Sequence, residues 1–365
     1  VGFMMKLSQV VRSGPDQYIC QPGALSYLDE KVAHFKKPVI ITGEQSYAAF
    51  LKHYPGALTC PVLCYDRTAS NEDMARLAAM AKDSDCVIGI GGGKALDTAK
   101  GTAELLGVQY VMVPTVLGTC AAYTPVSAVY HPDHTFKSVD YYTQAAFLCL
   151  LDLSLLVESP KAYLLGGIGD TLAKWYEAEG ITQHLDGPLP AMVSVGLQTA
   201  EVTRDILLSD SQEAIRSLEE QRITPAFERV VEAIIAVAGT VGGFAGEYGR
   251  MAGAHAVHNG MSLVKETHTF EHGIKVAYGI LVQLAAAGNT DEVRQLQSFY
   301  ASCGFPHKLE AFGVHDGLNG KMKAIADFAS SSNETFTLAV PDATPDIILE
   351  SMHYLEALDV SISSF

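Results

Sequence analysis

The chain has 365 residues, 48% of them hydrophobic and 18% charged, with a formal net charge of −16. Cores seldom grow past about 250–300 residues, so two domains are expected. The acid excess argues against nucleic acid or an anionic membrane as partner, since both are polyanions. No apolar run reaches the roughly 18 residues that a bilayer-spanning helix needs. The seven cysteines, at 20, 60, 64, 86, 120, 149 and 303, are scattered and odd in number. Such usage suits a reducing, cytoplasmic location rather than a disulfide framework. Cys60 and Cys64 have no second pair to complete a zinc knuckle.

In chain order, the first half alternates short apolar strands with helices. Strands are predicted at Pro38 to Thr42, Leu58 to Tyr65, Cys86 to Ile90 and Tyr110 to Pro114. Asn71 to Lys82 has Met74, Leu77, Ala78 and Ala81 on one helical face, with Ser70 placed as the cap. This alternation implies a mostly parallel sheet with ligands at the carboxyl ends of its strands. After Glu158-Ser159-Pro160 the texture becomes helical, in the segments 161–177, 190–208, 227–245 and 274–287, with Ser209 to Ser217 as a polar connection. The boundary is therefore placed between an α/β domain, 1–158, and a helical domain, 159–365.

The centre of the pattern is the strand Cys86 to Ile90, the turn Gly91-Gly92-Gly93, and the helix that begins Lys94-Ala95-Leu96-Asp97-Thr98-Ala99-Lys100. A turn without Cβ atoms lets backbone N–H groups approach an anion, the helix N-terminus favours a phosphate, and Lys94 adds a full charge. Glu44, directly after the Pro38 to Thr42 strand and Gly43, is in place to meet an adenosine ribose. A carboxylate there repels a 2′-phosphate and favours NAD over NADP. In the helical half, Asp170 follows a glycine patch, His255 and His258 lie one turn apart, and His268 and His272 follow closely. Four histidines within eighteen residues, out of twelve in the chain, make a metal site more plausible than four separately packed side chains.

The GGGK turn followed by LDTAK resembles the glycerol dehydrogenase-like branch of the iron-containing alcohol dehydrogenase superfamily. The resemblance extends through Val113 to Ser127 and from the PVIIT strand to the helix His272-Gly273-Ile274-Lys275-Val276. It implies a dehydroquinate synthase-like fold, an α/β dinucleotide-binding domain followed by an all-α domain, in an enzyme that forms homo-oligomers and acts on a small-molecule substrate. It also implies NAD, with NADP as the alternative, contacted through Gly91, Gly92, Gly93, Lys94, Asp97, Thr115, Thr119, Thr124, Val126 and Tyr130. One divalent metal, zinc ahead of iron, is implied on Asp170, His255 and His272, with His258 as a proton relay.

Cys120 stands where glycerol dehydrogenases have an aspartate, and a thiol accepts polyol hydroxyls poorly. A redox role for its thiol would require a lowered pKa. Lys174 lies four residues after Asp170, on the same helical face, where a cation can pair with a substrate carboxylate. Together with the run Tyr163 to Glu177, these features look closer to hydroxycarboxylate dehydrogenases. The expected reaction is interconversion of a small 2-oxo acid and a 2-hydroxy acid, with a glycerol or vicinal-diol dehydrogenase as the alternative. Lower-ranked alternatives are a dehydroquinate synthase-like lyase or a glycerol-1-phosphate dehydrogenase, both needing a basic cluster that the sequence does not place near Asp170 or His272, and a non-catalytic metal- or nucleotide-binding protein.

Overall fold

The computed structural model describes residues 6–358. Six parallel strands make the sheet: β1 (Gln17–Gln21), β2 (Pro38–Thr42), β3 (Val62–Cys64), β4 (Cys86–Gly91), β5 (Gln109–Pro114) and β8 (Leu148–Asp152), in the order β1-β8-β5-β4-β2-β3. Every residue of β4 and of β8 is buried, as expected of parallel strands covered on both faces. A separate antiparallel hairpin, β6 (Val126–Tyr130) with β7 (Phe136–Tyr141), lies outside this sheet. From β2 the chain moves outward to β3, whereas from β4 it moves the opposite way to β5 and β8. The order therefore reverses between β2 and β4, and the crevice at their carboxyl ends is where such sheets take ligands.

Three helices support this edge: α1 (Glu44–His53), α2 (Asn71–Met80) and α3 (Gly93–Leu106). Ser70 accepts the Asp73 N–H and so caps α2 as its position predicts. Lys100, on α3, is fully buried. Its ammonium pairs with Asp97 at 2.9 Å and donates to the carbonyls of Ala121, Thr124 and Val126. The second Asp97 oxygen accepts the Ala128 N–H at 3.2 Å. One ion pair thus fastens the 121–128 segment to α3. Removing one partner of such a buried pair typically costs about 3–5 kcal/mol.

The helical half begins with α4 (Lys161–Thr182), α5 (Ala191–Glu219) and α6 (Pro225–Gly249), followed by α7 (Gly253–Met261) and α8 (His272–Ala286). Three further long helices, Thr290–Cys303, Leu318–Ala329 and Pro345–Ala357, close the core. Within α6, Ala233–Val237 forms a π turn and the last four residues tighten into a 3-10 turn. Such irregular turns often lie at functional sites.

Several expectations are corrected. Ser209 to Ser217 is not a connection: α5 runs through it, with Ser211 and Ser217 buried and Ser217 back-bonded to Glu213. The Leu58 to Tyr65 strand shrinks to three residues, and β1, β6, β7 and β8 were not anticipated. One segment, Pro225–Gly249, does reach the length and apolarity of a membrane span, with a mean hydropathy of 1.5. Its Val230, Val231, Ile234 and Ile235 are fully buried in the helical core, the usual place for a helix that is apolar all round.

Arg12 joins the two halves. Its backbone N–H donates to Gly243 on α6 at 2.9 Å, while its guanidinium donates to the carbonyls of Tyr142 and Thr143 beside the sheet.

Candidate metal centre and nucleotide cleft

Glycines decide how the helices cross. A Cβ added to Gly273 would collide with the Gly166 carbonyl oxygen, and one added to Gly169 would collide with that of Gly273. The patch that looked flexible in sequence is a bare contact surface that lets α4 and α8 touch through their backbones. Gly279 makes the same close approach to the Ala254 carbonyl, drawing α7 onto α8. The two crossings bring Asp170, His255 and His272 together from three helices.

The potential ligand atoms of these three residues lie within 4.8 Å of one another. Asp170 Oδ1 is 3.3 Å from His255 Nε2 and 3.3 Å from His272 Nε2. Ligand atoms about 2.0–2.1 Å from a tetrahedral ion are separated by about 3.3–3.4 Å, so the residues fit a divalent cation. Their side chains are 13%, 9% and 47% exposed in the order Asp170, His255, His272, leaving the approach open on the His272 side.

Behind the trio stands a set of hydrogen bonds that sequence reasoning missed. His255 Nδ1 is 2.8 Å from Glu177 Oε2, and the other Glu177 oxygen accepts the N–H groups of Ala252 and His255. Glu177 is fully buried. It lies seven residues after Asp170 on the same face of α4, a spacing that could have revealed it. On the other side, His272 Nδ1 meets His258 Nε2 at 3.0 Å, His258 Nδ1 meets Asn259 Oδ1 at 3.0 Å, and Asn259 donates to Glu334 at 3.0 Å. With His272 as the first donor, every link in that series is consistent with a neutral His258. His258 thus meets His272 through Nε2 and Asn259 through Nδ1. His268 is directed elsewhere, its Nε2 at 2.8 Å from the Ser262 carbonyl.

The charges agree with this layout. Burial opposes ionisation of Asp170, but its contacts with His255 and His272 outweigh that and hold its pKa well below the usual carboxylate range. Burial likewise opposes a charged His255, yet Glu177 and Asp170 push its pKa up to about 10. Burial and the neighbouring His272 and His255 hold His258 well below the ordinary imidazole value. Two carboxylates at His255 thus attract a positive charge, which a divalent ion can supply in place of a proton.

A cleft of about 620 Å³ opens at the carboxyl ends of β2, β4 and β5, lined by Gly43, Glu44, Gly92, Gly93, Lys94 and Thr115 among others. No side chain caps the N-terminus of α3, leaving that end suited to an anion. Lys94 Nζ lies 4.6 Å from the centre of the Tyr130 ring. Gly91 is buried behind the turn, its carbonyl accepting the Thr115 N–H. Thr119 Oγ1 faces Gly93 across the turn. Asp97 is placed differently from the expectation of cofactor contact, since its carboxylate is taken up by Lys100 and Ala128. At the outer end, Arg67 brings a cation to 3.7 Å from Glu44, both side chains being exposed.

Thr124 and Val126 line a second, inner cavity of about 100 Å³ together with Cys120, Lys174, Arg12 and Arg250. Burial pushes the Cys120 thiol up, with Lys174 opposing and Asp170 reinforcing the effect. An upward shift is the opposite of the lowered pKa that a redox role would need. Burial disfavours the charge on Lys174, but nearby Cys120, Asp170 and Glu177 favour it and the net shift is upward. The expectation of no basic cluster near Asp170 is corrected: Arg250, just before α7, joins Lys174 at this cavity.

A parallel sheet with a ligand crevice at its order reversal is joined to a helical half that carries a His2Asp trio, a layout suited to binding a nucleotide and a metal. The sequence profile of the iron-containing alcohol dehydrogenase family matches residues 15–152. The chain is 36% identical to hydroxycarboxylate dehydrogenase A of Escherichia coli strain K12, covering 94% of this chain and 96% of the relative. It is 32% identical to glycerol dehydrogenase of Thermotoga maritima, covering 88% and 90%. The solved structure of glycerol dehydrogenase from Schizosaccharomyces pombe superimposes with a TM-score of 0.83 at 26% identity, covering 96% of this chain and 91% of that one. The chain belongs to the iron-containing alcohol dehydrogenase family and is an oxidoreductase acting on alcohol or hydroxy groups.

Proposed function

We propose that the protein interconverts a small 2-oxo acid and the corresponding 2-hydroxy acid, using a nicotinamide dinucleotide and one divalent metal, with zinc ahead of iron. The observation that carries this reading is Lys174: it lies one helical turn from Asp170 and, among the described residues, makes neither a hydrogen bond nor an ion pair. A protonated lysine left unpaired beside the trio suits a substrate carboxylate better than a polyol hydroxyl. The 36% identity to hydroxycarboxylate dehydrogenase A supports the same reading.

Held by Asp170, His255 and His272, a divalent cation would supply Lewis-acid polarisation of the substrate oxygen while the nicotinamide exchanges hydride with the carbon. The chain's own residues do the positioning. Glu177 orients His255 through Nδ1, and His258 orients His272 through Nδ1, so each ligand presents Nε2. The turn Gly92-Gly93-Lys94 takes the pyrophosphate, and Glu44 the ribose. The exposed Arg67 beside Glu44 supports tolerance of a 2′-phosphate as well, so both dinucleotides are to be assayed.

A glycerol or vicinal-diol dehydrogenase is the second reading, supported by the likeness to the Thermotoga maritima and Schizosaccharomyces pombe enzymes. The test is oxidation of NADH and NADPH by the purified protein with 2-oxobutyrate and with dihydroxyacetone, before and after chelation and with zinc, iron or manganese restored. Higher kcat/KM for 2-oxobutyrate, abolished by the chelator, is expected. A preference for dihydroxyacetone would replace the first reading with the second.

A further inference from the structure

Besides Lys174, the inner cavity is lined by two further cations, Arg12 and Arg250. Arg250 has its guanidinium carbon 4.6 Å from the centre of the Tyr141 ring. Stacking of this kind fixes the guanidinium plane and leaves its N–H edge available. Among the described residues, Arg250 makes no hydrogen bond or ion pair, in contrast to Arg12, whose guanidinium is occupied by the Tyr142 and Thr143 carbonyls. Lys174 and Arg250 line the same cavity as Cys120, and they are close enough for the Arg250 charge to be felt at Lys174. The Arg250 charge opposes that of Lys174, and an anion held by both offsets this repulsion.

We propose that Arg250 and Lys174 form a two-cation subsite that takes the carboxylate of the substrate, with Arg250 as the residue that discriminates acids from neutral carbonyl compounds. The proposal rests on the 2-oxo acid reading and names its specificity determinant. Three features define what enters. The guanidinium edge matches a carboxylate in bidentate fashion. Lys174 lies one turn from Asp170 on α4, so that helix links the cavity to the trio. A cavity of about 100 Å³, at about 10–15 Å³ per water-sized position, admits an acid of several heavy atoms.

The test compares kcat/KM for 2-oxobutyrate and dihydroxyacetone in the wild-type protein, Arg250→Gln and Arg250→Lys, with zinc bound. A hydrogen bond to a charged group contributes about 1.5–3 kcal/mol, so the acid-to-neutral ratio should fall about 10- to 100-fold in Arg250→Gln, mainly through KM, and recover in part in Arg250→Lys. An unchanged ratio in a folded Arg250→Gln protein, or an equal loss on both substrates, would overturn the proposal.

A second measurement separates this from the parent reading. Oxamate, a non-reacting acid, is added against whichever carbonyl compound the wild-type protein reduces. Competitive inhibition that weakens at least 10-fold in Arg250→Gln supports the subsite even if dihydroxyacetone proves the better substrate. Absence of oxamate inhibition in the wild type, or tighter inhibition by inorganic phosphate than by oxamate, would sink the carboxylate assignment.

Discussion

Glu177 shows how one buried side chain can govern a site from behind one of its ligands. Its carboxylate fixes the His255 ring and also accepts two N–H groups at the start of α7. Replacing it with glutamine keeps the size and removes the charge. Loss of such an outer partner typically costs 10–100-fold in metal affinity. Glu177→Gln is therefore expected to raise the zinc Kd by that factor in competition with a chromophoric chelator, and an unchanged Kd would show that His255 needs no orienting carboxylate. Residues of this kind were hard to find from sequence. Asp170, His255 and His272 could be proposed from their types and from the resemblance, whereas Asn259, Glu334 and Arg250 carry no local mark. Asn259 follows His258 directly on α7, but Glu334 and Arg250 gain their roles only when the fold brings distant segments alongside Asn259 and Lys174.

At the scale of elements, the helix crossings determine whether the trio forms. Gly273→Ala would push a methyl group into the Gly166 backbone, and overpacking of this kind typically costs about 1–3 kcal/mol. A lower urea midpoint together with weaker zinc binding is the expected result. Gly320→Ala, at an exposed position of the helix Leu318–Ala329 with open space around the added Cβ, should instead be stabilising by up to about 1 kcal/mol. Equal behaviour of the two variants would mean that the α4–α8 crossing is not tight. Elements with a clear local signature were readable, such as α2 with its serine cap and β4 with its glycine turn. The run Leu148–Asp152 was not, because a short, wholly apolar segment fits a strand or a buried helix equally well. Ser209 to Ser217 misled for the converse reason: polar residues on a long, half-exposed helix look like a loop when the helix's packing partners are unknown.

In the molecule as a whole, the two sites are built from different material. The nucleotide cleft is formed largely by strand ends and the start of α3, whereas the trio comes from α4, α7 and α8; Glu271, next to His272, is a point where they adjoin. Removing the metal should therefore abolish turnover while leaving NADH affinity within about threefold, as read by the fluorescence of the bound nucleotide. A large loss of NADH binding on chelation would show that the sites are coupled through Glu271. The parallel sheet, the helical second half and their order along the chain were all legible from alternation and composition. The division of labour between an outer cleft and an inner cavity was not, since it depends on which side of the 118–126 loop each hydroxyl faces.

Arg12 deserves a last consideration because it belongs to both halves at once. Its backbone is bonded to Gly243, its guanidinium to the strand-side carbonyls, and its neighbours Leu7 and Val10 form part of the inner cavity's wall. The stretch ahead of the first strand is thus a piece of the wall of the cavity proposed to hold the substrate carboxylate. Shortening that stretch, or attaching a purification handle to it, would alter that wall, and on the proposed reading kinetic constants measured on such preparations would carry the mark of the handle as well as of the enzyme.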